Sequence, residues 1–142
     1  MNELPGNYRL LVLEAQKATL RSYAPYSHFQ VGAAALLEDG TIVTGTNQEN
    51  AAYPSGLCAE RTTLFYANSQ YPDLSVKALA ITARTPDGEL CHTPLTPCGA
   101  CRQVMVETEK RYGKPMRVLL CGSEEVYIAE SARSLLPLSF DL

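Results

Sequence analysis

Three cysteines govern what this chain can fold into, because each stands at the start of a helix-patterned segment. Cys58 opens a segment over residues 58–69. Cys98 and Cys101 open another over residues 98–112, behind Pro97. Residues three apart on a helix share a face, so Cys98 and Cys101 can grip one ion. Helix N-termini carry partial positive charge and unpaired N–H groups, which lower a thiol pKa and favour the metal-binding thiolate. A fold that brings the two helix starts together therefore builds a three-thiolate site.

The Cys98-x-x-Cys101 pair alone has several readings. One is a redox dithiol, but such a pair usually follows the first strand of a thioredoxin-like pattern, which the order of elements here does not match. Another is half of a structural zinc site. With Cys58 as a third ligand, tetrahedral zinc keeps one open position, the mark of a catalytic rather than a structural site. Cys91-His92, seven residues before Cys98, would close that position if it ligated. Five cysteines is an odd number, which argues against a fully paired disulfide framework. The stretch Met1-Asn2-Glu3-Leu4-Pro5 lacks the basic and apolar regions of a signal peptide, and no apolar run approaches the ~20 residues of a membrane helix. The expectation is a cytoplasmic protein with reduced thiols and no membrane contact.

Three thiolates on Zn²⁺ leave excess negative charge, which resists forming hydroxide at the metal. The site needs compensation. Arg61 lies three residues after Cys58 and can face its sulfur, Arg102 adjoins Cys101, and the two helix ends add more. Glu60 is two residues from Cys58, and positions i and i+2 do not face each other along a helix. A metal held off the helix end removes that objection, because side chains can converge there axially. A carboxylate so placed can take a proton from water and return it to a substrate.

The remaining pattern predicts a helix over residues 8–22, stopped by Pro25. A buried strand over residues 31–37 turns at Asp39-Gly40 into a strand over 41–46. Residues 47–57 are irregular. An apolar strand over 76–83 reads as central, residues 85–96 as a long polar loop, and residues 117–121 and 126–129 as two further strands. This order predicts one domain spanning residues 1–142. Its fold class is α/β, a three-layer α/β/α sandwich around a mixed five-stranded sheet. Apolar residues make up 46 % of the chain, enough for a core without disulfide staples. The net charge is −3, and the densest basic stretch (Lys110, Arg111, Lys114, Arg117) is short and mixed with apolar residues. A nucleic-acid surface needs a basic stripe, so a small-molecule substrate is expected.

The segment Cys58-Ala59-Glu60-Arg61-Thr62, followed by Pro97-Cys98-Gly99-Ala100-Cys101-Arg102-Gln103, resembles the zinc motif of the small cytidine deaminases, in the variant with cysteine where other zinc deaminases carry histidine. Three further segments are similar to that family: residues 23–34 from Tyr23 to Ala34, Asn47-Gln48-Glu49-Asn50-Ala51-Ala52-Tyr53, and Leu135-Leu136-Pro137 with Phe140. The likeness covers residues 10–140.

The resemblance implies one Zn²⁺ per subunit on Cys58, Cys98 and Cys101, with Glu60 as proton shuttle and Arg61 behind the thiolates. It implies that Asn47 and Glu49 bond the ribose hydroxyls, that Phe29 lines the base or sugar pocket, and that Ala59 meets the base through its backbone. Phe140 would reach a neighbouring subunit's site in a homotetramer with shared active sites. The implied activity is hydrolytic deamination of cytidine and 2′-deoxycytidine in pyrimidine salvage. The alternatives are a deaminase of another aminopyrimidine, such as blasticidin S, and a non-catalytic structural zinc module. Thr46 departs from the family, which often has cysteine there, but that position is not a ligand. Cys121 reads as core and His28 as a loop residue.

Overall fold

Short apolar residues alternate along the strands, and the alternation decides the layers. The computed structural model describes residues 4–142; Met1, Asn2 and Glu3, part of the stretch read above for a targeting signal, lie outside them. Five strands form one sheet: β1 (Gln30–Leu37), β2 (Ile42–Thr46), β3 (Val76–Arg84), β4 (Arg117–Cys121) and β5 (Val126–Ala129). Their spatial order is β2-β1-β3-β4-β5. The β3–β4 pair is parallel and the other pairs are antiparallel. The strands after β1 and β4 fold straight back, whereas a parallel neighbour requires a crossover. Helix α3 (Gly99–Tyr112) supplies that crossover.

Side chains on successive strand residues point to opposite faces. On one face Ala34, Leu36, Ala78, Ala80, Leu119 and Cys121 pack against Leu11, Val12 and Ala15 of α1 (Gly6–Ala18). On the other, Val31, Ala33, Ala35, Leu79, Ile81, Val118 and Leu120 pack against α2 (Ala59–Gln70) and α3 through Leu64, Ala67, Met105 and Val106. The central strands are buried on both faces, so they read as continuous apolar runs. This is the expected α/β/α sandwich. Cys121 lies in the core beneath α1, as expected.

Two contacts set how closely the helices sit. A Cβ on Gly45 would collide with the backbone and hydroxyl of Thr63, so α2 rests directly on β2. A Cβ on Gly32 would strike Ala15 and Thr19 at the end of α1. The hairpin turns where the Asp-Gly signal puts it. Gly40 has φ 95°, a left-handed conformation that suits glycine, and the Asp39 carboxylate accepts from the Thr41 N–H at 2.9 Å.

Three details differ from expectation. The first helix is regular only to Ala18 and tightens into a 3₁₀ turn over Thr19–Arg21. Short 3₁₀ turns also form at Tyr53–Ser55 and Ala132–Leu135, too short to leave a periodic signature. The loop after β3 is partly ordered as a hairpin, with Arg84 bridged to Leu90 and Gly88 in a left-handed turn. Among the described residues no helix is long and apolar enough to cross a membrane.

Candidate metal centre and binding cleft

The starts of α2 and α3 meet. Cys58 is the N-cap of α2 (φ −70°, ψ 156°) and Cys98 the N-cap of α3 (φ −70°, ψ 167°). An N-cap residue is extended while the next residue is already helical, which turns its side chain over the helix end. Cys98 uses this geometry in full, its sulfur accepting from the Cys101 N–H at 3.5 Å. The Cys58 and Cys98 sulfurs lie 3.9 Å apart, and all three sulfurs fall within 4.8 Å of one another. Tetrahedral zinc with Zn–S bonds of about 2.3 Å separates its ligands by about 3.8 Å, so these donors fit that ion.

The neighbouring Cys101 thiol is the main cause that holds the Cys58 thiol well below its ordinary value, and Arg61 assists. Cys58, with burial, pushes the Cys101 thiol up. Among the described residues no other His, Cys, Asp or Glu joins the cluster. Cys91 and His92 are tied elsewhere: the Ser123 N–H donates to the Cys91 carbonyl at 2.8 Å, and the Ser123 hydroxyl lies 3.2 Å from His92 Nδ1.

Of the two arginines expected to offset the thiolates, one does so. Arg61 Nη2 donates to Cys58 Sγ at 3.4 Å. Arg102 does not. Its Nε donates to the Pro97 carbonyl at 2.8 Å and its Nη1 to the Leu135 carbonyl at 2.9 Å, so it ties the loop before Cys98 to the C-terminal segment. The helix period does not separate them, since Arg61 is three residues after Cys58 and Arg102 four after Cys98. The Leu135 carbonyl, brought in by the C-terminal segment, takes the Arg102 guanidinium instead.

Glu60 is only 4 % exposed in the first turn of α2. Burial is the main cause that raises its carboxyl above the ordinary value, and the charge on Cys58 pushes the same way. A carboxylate held this way takes a proton more readily than one in water.

Beside the cysteines lies a cavity of about 530 Å³, lined in part by Tyr26, Asn47, Glu49, Tyr53, Cys58 and Arg61. Two loops zipped together form its wall. The Tyr23 N–H donates to the Asn47 carbonyl and the Glu49 N–H to the Tyr23 carbonyl, at 3.1 and 2.9 Å. The Asn47 oxygen accepts from the Ser22 hydroxyl (2.5 Å) and the Val31 N–H (2.9 Å), while its Nδ2 donates to the Phe29 carbonyl (2.9 Å). That arrangement fixes the amide orientation and leaves one N–H of Nδ2 for a ligand. The Glu49 carboxylate accepts from the Tyr26 and Ser27 N–H groups (3.0 and 3.1 Å) and from the Ser27 hydroxyl (2.5 Å). The Ser27 hydroxyl is the main cause that holds its pKa below the usual value, so it stays ionised with lone pairs to spare.

The other expected site residues are less central in the lone chain. Phe29 is half-buried and packs on the same apolar cluster as Cys58. Ala59 is fully buried at the start of α2. Phe140 is 69 % exposed, far more than a pocket residue within one chain would be. Residue-by-residue reading missed Ser22 and Ser27, which orient Asn47 and Glu49. Small hydroxyls in a loop carry no periodic signal, and their partners lie more than twenty residues away.

The chain is similar to known proteins in sequence and in fold. Residues 6–112 match the family model described as the cytidine and deoxycytidylate deaminase zinc-binding region. The chain is similar to the cytidine deaminase of Halalkalibacterium halodurans, with 48 % identity over 99 residues, 70 % of each chain. Among solved structures it is similar to the cytidine deaminase of Burkholderia pseudomallei (40 % identity, TM-score 0.78, 94 % of this chain and 98 % of that one). It is also similar to that of Mycobacterium tuberculosis (33 % identity, TM-score 0.74, 97 % of this chain and 100 % of that one).

Proposed function

The chain belongs to the cytidine and deoxycytidylate deaminase family, and we propose that its three-thiolate centre and adjoining cleft deaminate cytidine and 2′-deoxycytidine to uridine and 2′-deoxyuridine, releasing ammonia. The observation that carries this reading is the juxtaposition of the Cys58/Cys98/Cys101 cluster with the buried Glu60 in the first turn of α2 and a cavity of nucleoside size edged by Asn47 and Glu49.

Cys58, Cys98 and Cys101 would hold the zinc ion, whose Lewis acidity would make water a usable nucleophile near neutral pH. Glu60 takes the proton from the attacking water and delivers it to N3 of the cytosine ring, which makes C4 electrophilic. After attack at C4, Glu60 carries the second proton to the amino group, and ammonia leaves. Its raised basicity suits both transfers. Arg61 offsets thiolate charge through Cys58. Asn47 and Glu49 hold the ribose through the N–H and lone pairs their loop contacts leave free. Ala59 meets the base through its backbone and Phe29 backs the pocket. Phe140 completes the cleft of a neighbouring subunit in a homotetramer. The described residues make up one catalytic domain, in a cytoplasmic enzyme of pyrimidine salvage.

A structural zinc module needs a fourth protein ligand, and among the described residues none joins the cluster. Ultraviolet monitoring of cytidine turnover, with zinc measured on the same sample, tests the proposal. Glu60→Ala is expected to retain zinc and lose at least ~10²–10⁴ in kcat. Near-normal turnover by that variant would refute the mechanism.

A further inference from the structure

The helix that carries Cys101 also grips the C-terminal segment, and one contact is more specific than the rest. Gln103 Oε1 accepts from the Phe140 N–H at 3.0 Å, and Gln103 Nε2 donates to the Phe140 carbonyl at 2.9 Å. A single side-chain amide thus satisfies both backbone groups of one residue, the pairing that a neighbouring strand would otherwise provide. With its N–H and C=O both turned toward α3, Phe140 has little backbone freedom left. Its exposure of 69 % shows that the residue is nonetheless presented to solvent. The flanking Leu138 and Leu142 are 94 % and 102 % exposed. The other polar ties near the chain end both come from Lys110, an ion pair with Asp141 between solvent-exposed side chains and a long hydrogen bond to the Leu142 carbonyl at 3.4 Å, and exposed ties of this type restrain little. Arg102 anchors the segment at Leu135, five residues upstream.

We propose that Gln103 is a positioning residue for Phe140. It presets the Phe140 backbone so that the ring is offered outward at a fixed angle, two helix positions after the Cys101 ligand. The inference rests on the reading of Phe140 as a contributor to a neighbouring subunit's cleft. Ordering a chain terminus when substrate binds opposes affinity, and a residue held in advance removes that opposition. Gln103 therefore acts on substrate binding and leaves the chemical step alone.

The test compares the zinc-loaded assembled enzyme with the variants Q103M, Q103E, F140A and Q103M/F140A in cytidine kinetics. Methionine keeps the length of glutamine and removes both polar atoms. Glutamate keeps the acceptor and loses the donor. Q103M is expected to raise KM about 3- to 10-fold with kcat within about twofold, and Q103E to fall between it and the parent. The double variant should be no worse than F140A alone, because the two residues act in series. Zinc content and melting temperature of Q103E guard against a general folding defect. If F140A raises KM while both Gln103 variants keep the parental KM, or if the two effects multiply, the inference is wrong and the reading of Phe140 stands. If F140A itself leaves KM unchanged, the reading of Phe140 falls and the inference falls with it.

Discussion

Replacing Arg61 by glutamine asks how much one cation contributes to an all-thiolate site. Arg61 Nη2 lies 3.4 Å from Cys58 Sγ. At an effective dielectric of about 20, that separation corresponds to a gross attraction of about 5 kcal/mol. Both groups retain solvent contact, so screening and desolvation reduce it toward the roughly 1.5–3 kcal/mol typical of a hydrogen bond to a charged group. A second term offsets it further. Arg61 Nε is buried without a partner, and removing the guanidinium relieves that deficit. The net loss belongs near the low end, about 1.4–2 kcal/mol, which weakens zinc binding roughly 10- to 30-fold. Lysine at this position should recover part of the loss, because it restores the charge without the planar fork. The assay is competition for zinc against a chromophoric chelator at fixed pH, with the parent, R61Q and R61K side by side. A zinc Kd for R61Q within about twofold of the parent would refute the charge-compensation argument.

Three further outcomes are expected. Glu60 has a folded-state pKa above 4.5, so ionising it opposes folding; the penalty is absent below that pH and grows as pH rises through the folded value. Metal-free E60Q should therefore melt higher than the metal-free parent at pH 7, with the two converging near pH 4. Gly45→Ala forces α2 away from β2 at Thr63 and should lower stability by about 1–3 kcal/mol, read from denaturant midpoints, with looser zinc binding because Cys58 caps that helix. Burial pushes Cys121 up to about 12, so at pH 8 only about one part in ten thousand is thiolate. An aromatic disulfide reagent should leave Cys121 unmodified in the native protein, as peptide mapping will reveal.

The amino-acid pattern carried much of this molecule because its strongest signals are local. The strands at Arg117–Cys121 and Val126–Ala129 begin and end where the apolar runs do, and the Asp39-Gly40 turn lies where its chemistry requires. Cys58 and Cys98 cap their helices because each precedes a helical run after residues that cannot join it, Pro54 and Gly56 before one and Pro97 before the other. From those caps an open thiolate site follows. Arg61 was legible by the same helix period.

What the tertiary structure alone decided are pairings between distant segments. Arg102 read equally well as a thiolate partner, and only the position of Leu135 turned it into a strap. Ser22 and Ser27 gained roles once two loops were zipped side by side. Gln103 found Phe140 because the chain end runs back along α3. A helix period tells which residues share a face, but not what another segment brings to that face. The three cysteines show both halves. Their spacing by itself determined a metal-binding set at two helix starts. Folding decided that the starts meet with sulfurs 3.9 Å apart and that no fourth ligand among the described residues arrives, because β3 and the loop after it hold Cys91 and His92 elsewhere.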